Sequence, residues 1–267
     1  MVESAILHGV IYLLIGAFTG IVAGLFGIGG GLVVIPSLVF VFQHMAIIPH
    51  NMLMHVAVGT SLAIMIITSL SAVRSHHKVG NILWSVLKKL WPGLIAGTIS
   101  GSVLAAKIPN AWLKIFFGVF LLFVALKMLF DKPKEQSTSF PKQSIIFLIC
   151  FFIGLTSGLL GVGGGILIVP LMTHYGIPAR KIAGISNSCA FTIALIGTIT
   201  FIIIGLRETA AIPYTLGYVY WPAILLVGAT SSMFAPIGTR LHYKLPVHQL
   251  KYGFILLLIL TSLKMLL

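Results

Sequence analysis

The sequence predicts an all-α, polytopic integral membrane protein made of two repeated halves of opposite orientation. Of its 267 residues, 58% are hydrophobic and 8% are charged, whereas soluble domains carry about 25% charged residues. Apolar runs long enough to cross a bilayer recur along the chain. A glycine-rich segment, GLFGIGGGLVVIP at 24–36, returns 134 residues later as GLLGVGGGILIVP at 158–170.

The first half, residues 1–130, contains three apolar runs of about twenty residues, the length that a membrane-spanning helix needs. These runs cover 52–73, 90–108 and 111–130. The segment at 5–43 is too long for one span, because a helix rises about 1.5 Å per residue. We therefore predict a bent helical hairpin, with helices at 5–26 and 30–43 and the glycines at its tip.

The second half, residues 144–267, repeats this pattern after a polar linker, DKPKEQSTSFPKQ at 131–143. A second glycine-tipped hairpin is predicted at 144–176. Three apolar runs follow it, at 182–206, 217–236 and 249–267. Each half therefore has one hairpin plus three spans, which predicts eight nominal transmembrane units or about ten helical segments.

The distribution of basic residues predicts how the chain is oriented in the membrane. If the loop at 74–89 is cytoplasmic, four of the 17 Lys and Arg residues fall outside: Lys107, Lys114, Arg207 and Lys264. The remaining thirteen fall inside, as the positive-inside rule requires. This predicts a multi-pass protein of the cell (inner) membrane with both termini outside and the 131–143 linker in the cytoplasm. The first half then begins outside and the second inside, so the repeats are inverted.

Inverted repeats with broken helices are typical of secondary transporters, whose binding site lies near the membrane midplane. Lipid cannot satisfy the backbone groups that a helix break exposes, so the glycine tips must line protein or a wet cavity. Free amides at two helix N-termini favour an anion. The predicted binding glycines are Gly29, Gly30, Gly31, Gly163, Gly164 and Gly165.

Polar side chains after each hairpin are predicted to supplement these amides. They are Thr60, Ser61, Ser186 and Asn187. The alternative for the hydroxyl groups is a hydrogen bond to their own helix backbone. His55, His174 and Arg74 are candidates for proton coupling or gating, although an interfacial histidine and a positive-inside arginine are the alternatives.

Several function classes are not expected. The four acids lie at chain ends or in loops, the basic residues form no nucleic-acid-binding patch, and no enzyme, metal or cofactor motif is present. Cys150 and Cys189 lie within apolar runs and are predicted to be buried thiols. Two runs of spaced glycines, Gly16-x3-Gly20-x3-Gly24 and Gly93-x3-Gly97-x3-Gly101, predict close helix packing.

A set of motifs resembles the sulfite exporter TauE/SafE family. The motifs are the paired Gly-x-Gly-Gly-Gly-x4-Pro segments at 27–36 and 161–170, AVGTS at 57–61, LGYV at 216–219 and APIGTRL at 235–241. The resemblance implies a transporter of two repeated halves, commonly counted as eight spans, that moves sulfite, thiosulfate or organosulfonates such as sulfoacetate. The chain departs from the usual Gly-Thr-Ser in its second half, where Ile185 and Asn187 flank Ser186.

The expected function is therefore secondary transport of small sulfur-containing anions by alternating access, with export implied by the resemblance. A passive anion channel and a structural or sensory membrane protein are the alternatives. The expected partners are the anionic substrate and membrane lipids. The exact anion, the coupling ion, the direction of flux and the oligomeric state, with a homodimer as one option, are left open.

Overall fold

The computed structural model describes residues 2–26, 31–45, 48–130, 141–244 and 247–266. Ten α-helices contain most of these residues. The first half contains α1 (Val2–Phe26), α2 (Gly31–Met45), α3 (Leu53–Lys78), α4 (Trp84–Lys107) and α5 (Asn110–Phe130). The second half contains α6 (Gln143–Leu160), α7 (Gly165–His174), α8 (Ala179–Gly205), α9 (Trp221–Lys244) and α10 (Val247–Leu266). The predicted all-α class and the ten helical segments are confirmed.

The polytopic character is also confirmed. Within the described residues, five helices are long and apolar enough to cross a bilayer, namely α3, α5, α6 and the greater part of α8 and α9. Helices α2 and α7 have 15 and 10 residues. At about 1.5 Å per residue, each is shorter than the roughly 30 Å hydrocarbon core. Neither of these short apolar helices therefore spans the membrane alone.

One predicted span begins four residues too early. Residues 217–220 belong to a small antiparallel hairpin of β1 (Thr215–Leu216) and β2 (Val219–Tyr220), and α9 begins only at Trp221. The hairpin turns at Gly217, which has a φ of +56°, a left-handed conformation that glycine adopts without a steric cost. The apolar character of these residues did not distinguish a buried hairpin from the start of a helix.

The helices pack mainly in pairs. Helix α1 lies along α9, α4 lies along α6, α3 packs against α8, and α5 packs against α10. Helix α4 also contacts α8, and α3 contacts α9. The short helices α2 and α7 rest on α3 and α8 respectively. Helix α3 is at the centre, because every residue from Leu53 to Met65 is buried.

The spaced glycines hold two of these pairs together, as predicted. A Cβ added to Gly97 or Gly101 would collide with the carbonyl oxygens of Phe151 or Leu155 on α6. A Cβ on Gly16 or Gly20 would collide with α9. Small residues let helix backbones approach closely where no hydrophobic force drives helices together in lipid. The packing role is therefore confirmed for these glycines.

Gly97→Val is expected to lower the free energy of unfolding by about 1–3 kcal/mol, because it overpacks the α4–α6 contact. The measurement is the midpoint of thermal unfolding of the purified protein in detergent. Gly253→Val is the matched control, since a Cβ on Gly253 of α10 meets no atom of the described structure within 4 Å. Equal losses in the two variants would contradict the packing explanation and assign the effect to helix propensity.

Candidate functional site

The second helix break lies at the predicted glycines. Gly161 and Gly164 have φ values of +68° and +65°, a conformation that favours glycine. The Val162 N–H donates to the Ser157 carbonyl at 3.1 Å, and the Gly164 N–H donates to the Val162 carbonyl at 2.9 Å. This tight turn ends α6 and allows α7 to begin at Gly165. In the first half, α2 likewise begins at Gly31.

The N-terminus of α7 presents free backbone donors. The N–H groups of Leu167 and Ile168 both donate to the Gly164 carbonyl at 2.9 Å. Those of Gly165 and Ile166 donate to no other backbone group among the described residues. The first amides of any helix lack an intrahelical acceptor and carry the positive end of its dipole. The second tip therefore has the electrostatic character of an anion site.

The start of α2 lies against this turn. A Cβ on Gly31 would lie 2.9 Å from the Gly161 carbonyl oxygen. The Ser61 hydroxyl of α3 donates to the same carbonyl at 3.3 Å, and Ser61 is completely buried. Gly31, Ser61 and the second glycine turn therefore form one contact, although 100 residues separate Ser61 from Gly161 in sequence.

Ser186 of α8 has the corresponding place at the second tip. A Cβ on Gly165 would lie 3.1 Å from the Ser186 hydroxyl oxygen, just as one on Gly31 would lie 3.4 Å from the Ser61 hydroxyl oxygen. Ser186 is buried. The structure thus brings together six predicted site residues: Gly31, Ser61, Gly163, Gly164, Gly165 and Ser186. Gly29 and Gly30, also predicted to bind, lie outside the described residues.

Met65 belongs to this cluster but is not among the residues predicted from the sequence. Its Sδ lies 3.0 Å from a Cβ built on Gly31, and its Cε lies 2.6 Å from a Cβ built on Gly163. Met65 packs with Ala190 and Ala194 of α8 in a small group separate from the main core. The available signal was its position four residues after Ser61, one helical turn further on the same face.

Thr60 and Asn187 make hydrogen bonds that do not involve the tips. The Thr60 hydroxyl accepts a hydrogen bond from the Tyr220 N–H at 3.0 Å and so anchors β2 to α3. The Asn187 amide donates to the Ala183 carbonyl of its own helix at 2.9 Å. Asn187 therefore makes the kind of bond to its own helix that was foreseen only for the hydroxyl groups. For Thr60 the partner is a strand backbone 160 residues away.

The three candidates for coupling or gating lie apart from the tips. His55 is buried six residues before Ser61, with Nε2 3.1 Å from the Ile108 carbonyl and its ring stacked on Tyr218 at 5.2 Å. Arg74 is exposed thirteen residues after Ser61, about 20 Å further along α3. His174 is exposed at the end of α7.

The β1–β2 hairpin covers the end of α3 where His55 lies. The Tyr218 hydroxyl donates to the carboxylate of Glu208. Burial, together with this carboxylate, raises the pKa of Tyr218, so the hydroxyl stays protonated and remains a donor. The backbone of Tyr218 also rests directly on Gly59 of α3.

No metal centre is found in the described part of the chain, where no three His, Cys, Asp or Glu side chains cluster. Cys150 and Cys189 are free thiols buried among the helices.

The family follows from the whole-chain match. The sequence profile of the family described as sulfite exporter TauE/SafE matches residues 12–265. The chain belongs to the TauE/SafE family. This TauE/SafE protein is therefore a membrane transporter and not an enzyme, and the resemblance found in its motifs is confirmed.

Two relatives of this chain match it along most of their length. A probable membrane transporter protein of Haemophilus influenzae is 36% identical over 256 residues, covering 95% of this chain and 96% of the relative. A probable membrane transporter protein of Methanocaldococcus jannaschii is 30% identical over 239 residues, covering 88% and 87%. A shorter match of 28% over 98 residues joins the chain to sulfite exporter TauE/SafE family protein 5 of Arabidopsis thaliana. It covers 36% of this chain and 22% of that protein. No solved structure matches the chain.

Thr60→Val is expected to lower the free energy of unfolding by about 1–3 kcal/mol, because it leaves the buried Tyr220 N–H without an acceptor. Thr192→Val is the control, since its hydroxyl bonds only to a carbonyl of its own helix. Thermal unfolding in detergent and anion flux should be measured on both variants. Loss of flux by Thr60→Val at unchanged stability would contradict this anchoring role and make the hydroxyl a substrate ligand.

Proposed function

We propose that this TauE/SafE protein is a secondary transporter that exports small sulfur-containing anions, such as sulfite or sulfoacetate, by alternating access. The observation that carries the proposal is the contact between Gly31 of the first tip and the glycine turn of the second. That contact places the N-terminus of α2 against the turn that precedes the free amides of α7. The choice of sulfur anions comes from the family description.

The charges around the tips support an anionic substrate. Glu208 is the one acid whose side chain the structure describes, and it is bonded to Tyr218 in the β1–β2 hairpin. No carboxylate of the described residues therefore faces the tips to repel an anion. Backbone amides and the Ser186 hydroxyl can donate to a sulfonate or sulfite oxygen without placing a permanent charge in the membrane interior. The Ser61 hydroxyl already donates to the Gly161 carbonyl and so supports the turn itself.

The helix contacts support two inverted repeats, 1–130 and 144–267, as the moving parts. If α1 to α5 correspond to α6 to α10 in order, exchanging the halves converts the α1–α9 pair into the α6–α4 pair. Both pairs are observed. The same exchange turns α3–α8 into α8–α3 and α5–α10 into α10–α5, so each of these two pairs is unchanged. Contacts that lie on a pseudo-two-fold axis behave in this way. Such an arrangement allows one half to move against the other around a fixed site.

Two further glycines follow the same correspondence. Gly59 of α3 lies against the backbone of Tyr218, in the connection that follows α8. Gly184 of α8 lies against the backbone of Asn81, in the connection that follows α3. Each central helix is therefore covered at a matching glycine by the loop that leaves the other central helix.

We expect the α3–α4 loop to be cytoplasmic and the α8–α9 connection to be outside. Lys88→Cys and Arg207→Cys place thiols at exposed positions on these two sides. A membrane-impermeant maleimide should label Arg207→Cys in intact cells and Lys88→Cys only after lysis. The buried Cys150 and Cys189 should react slowly, and the unsubstituted protein measures that background. The reverse labelling pattern would invert the proposed topology.

The proposed transport is tested by flux of sulfite, sulfoacetate, thiosulfate and sulfate from proteoliposomes, with and without a pH gradient. The unsubstituted protein should show saturable flux that is selective for a sulfur anion. Gly31→Leu and Gly165→Leu should reduce it at least about tenfold, since a side chain would displace the Gly161 turn or cover the α7 amides. Gly253→Leu should transport normally.

Three outcomes would overturn different parts of the proposal. Absence of flux for every anion would contradict transport of sulfur anions. Normal flux by both tip variants, with unchanged elution from a sizing column, would contradict the location of the site. Conductance above the turnover of any carrier would replace alternating access by a passive anion channel.

A further inference from the structure

We infer that the Met65 side chain sets the upper size of the anion that the glycine tips accept. This inference rests on the proposed function, because it concerns the same site. Backbone amides select charge but supply no wall that could limit size. A wall requires a side chain, and Met65 is a large side chain that lies beside glycines of both tips within the described part of the chain.

The position of Met65 between the tips is the first observation. Its sulfur is beside Gly31 and its terminal methyl group is beside Gly163, at 3.0 and 2.6 Å from the Cβ atoms that these glycines lack. The side chain is 1% exposed. Both glycines therefore provide the room that this one side chain occupies.

An asymmetry between the halves is the second observation. Gly59, Ser61 and Met65 of α3 have the same spacing as Gly184, Ser186 and Ala190 of α8. The large residue of the first half is thus matched by alanine in the second. Ala190 and Met65 also pack against each other, so a single long side chain fills the space between the two central helices.

The surroundings of the two tip glycines differ accordingly. A Cβ on Gly31 would meet the Gly161 carbonyl, the Met65 sulfur and the Ser61 hydroxyl. Among the described residues, a Cβ on Gly165 would meet only the Ser186 hydroxyl within 4 Å. The space beside Gly165 is therefore the more open of the two, and Met65 lies beside Gly163, two residues before α7 begins.

The chemistry of methionine suits such a wall. Its unbranched thioether changes rotamer readily and has no charge that would bind or repel the substrate. Its neighbours Ala190 and Ala194 are small. A small anion can therefore bind with Met65 in place, whereas a longer sulfonate must displace it.

The test compares Met65→Ala with the unsubstituted protein in proteoliposomes containing sulfite or sulfoacetate. Removing the side chain should raise the ratio of sulfoacetate to sulfite flux about tenfold or more, the effect expected for a few methylene-sized groups in a pocket. Met65→Leu keeps most of the volume and should leave the ratio within about twofold. Met172→Ala removes a buried methionine of α7 that belongs to the main core, and should leave the ratio unchanged.

The reciprocal variant adds a wall on the opposite side. Ala190→Met should narrow the space beside Gly163 and lower the ratio of sulfoacetate to sulfite flux. If Met65→Ala does not give a monodisperse protein, Met65→Val and Ala190→Met decide the question by the same ratio.

Failure of this inference can be distinguished from failure of the proposed function. If the unsubstituted protein transports a sulfur anion but the Met65 variants leave the ratio unchanged, only the role of Met65 is overturned. If the unsubstituted protein transports no sulfur anion, the proposed function and this inference are both overturned. An equal change in the flux ratio by Met172→Ala would also overturn the role of Met65, because loosened packing would then explain the change.

Discussion

The structure depends on one constraint, that a backbone broken within a membrane must be enclosed by protein. Lipid offers no hydrogen-bond partner for the N–H and C=O groups that a break exposes. The chain breaks between α6 and α7, and α2 begins at Gly31, five residues after the end of α1 at Phe26. Helices α3 and α8 provide the enclosure: α2 and α7 rest on them, and α3 is buried from Leu53 to Met65.

Small residues make this enclosure possible. Glycines on α1 and α4 remove the side chains that would separate these helices from α9 and α6. Close backbone contact then compensates for the missing hydrophobic drive between helices in lipid. Glycine therefore has two distinct uses in this family member: spaced glycines join helices, whereas clustered glycines break them and leave amides free.

The polar side chains show how membrane burial restricts function. Ser61 supports the carbonyl of the second turn, Thr60 supports a strand, and Asn187 bonds to its own helix. Each hydroxyl or amide thereby satisfies a backbone group or is itself satisfied. The charge preference of the tips then depends on the backbone, and their shape depends on the apolar side chains around them.

The sequence by itself determined the helices, the break between α6 and α7 and the family. Hydropathy, the length of an apolar run and clustered glycines are local properties, and in a membrane they decide directly where a helix forms and where it ends. The tertiary structure alone decided which residues meet across the two halves. It placed Ser61 on a turn 100 residues away and joined Thr60 to a strand 160 residues away. It also placed Met65 between the tips and folded 215–220 into a hairpin. These features depend on the direction of side chains and the register between helices, which local hydropathy does not specify.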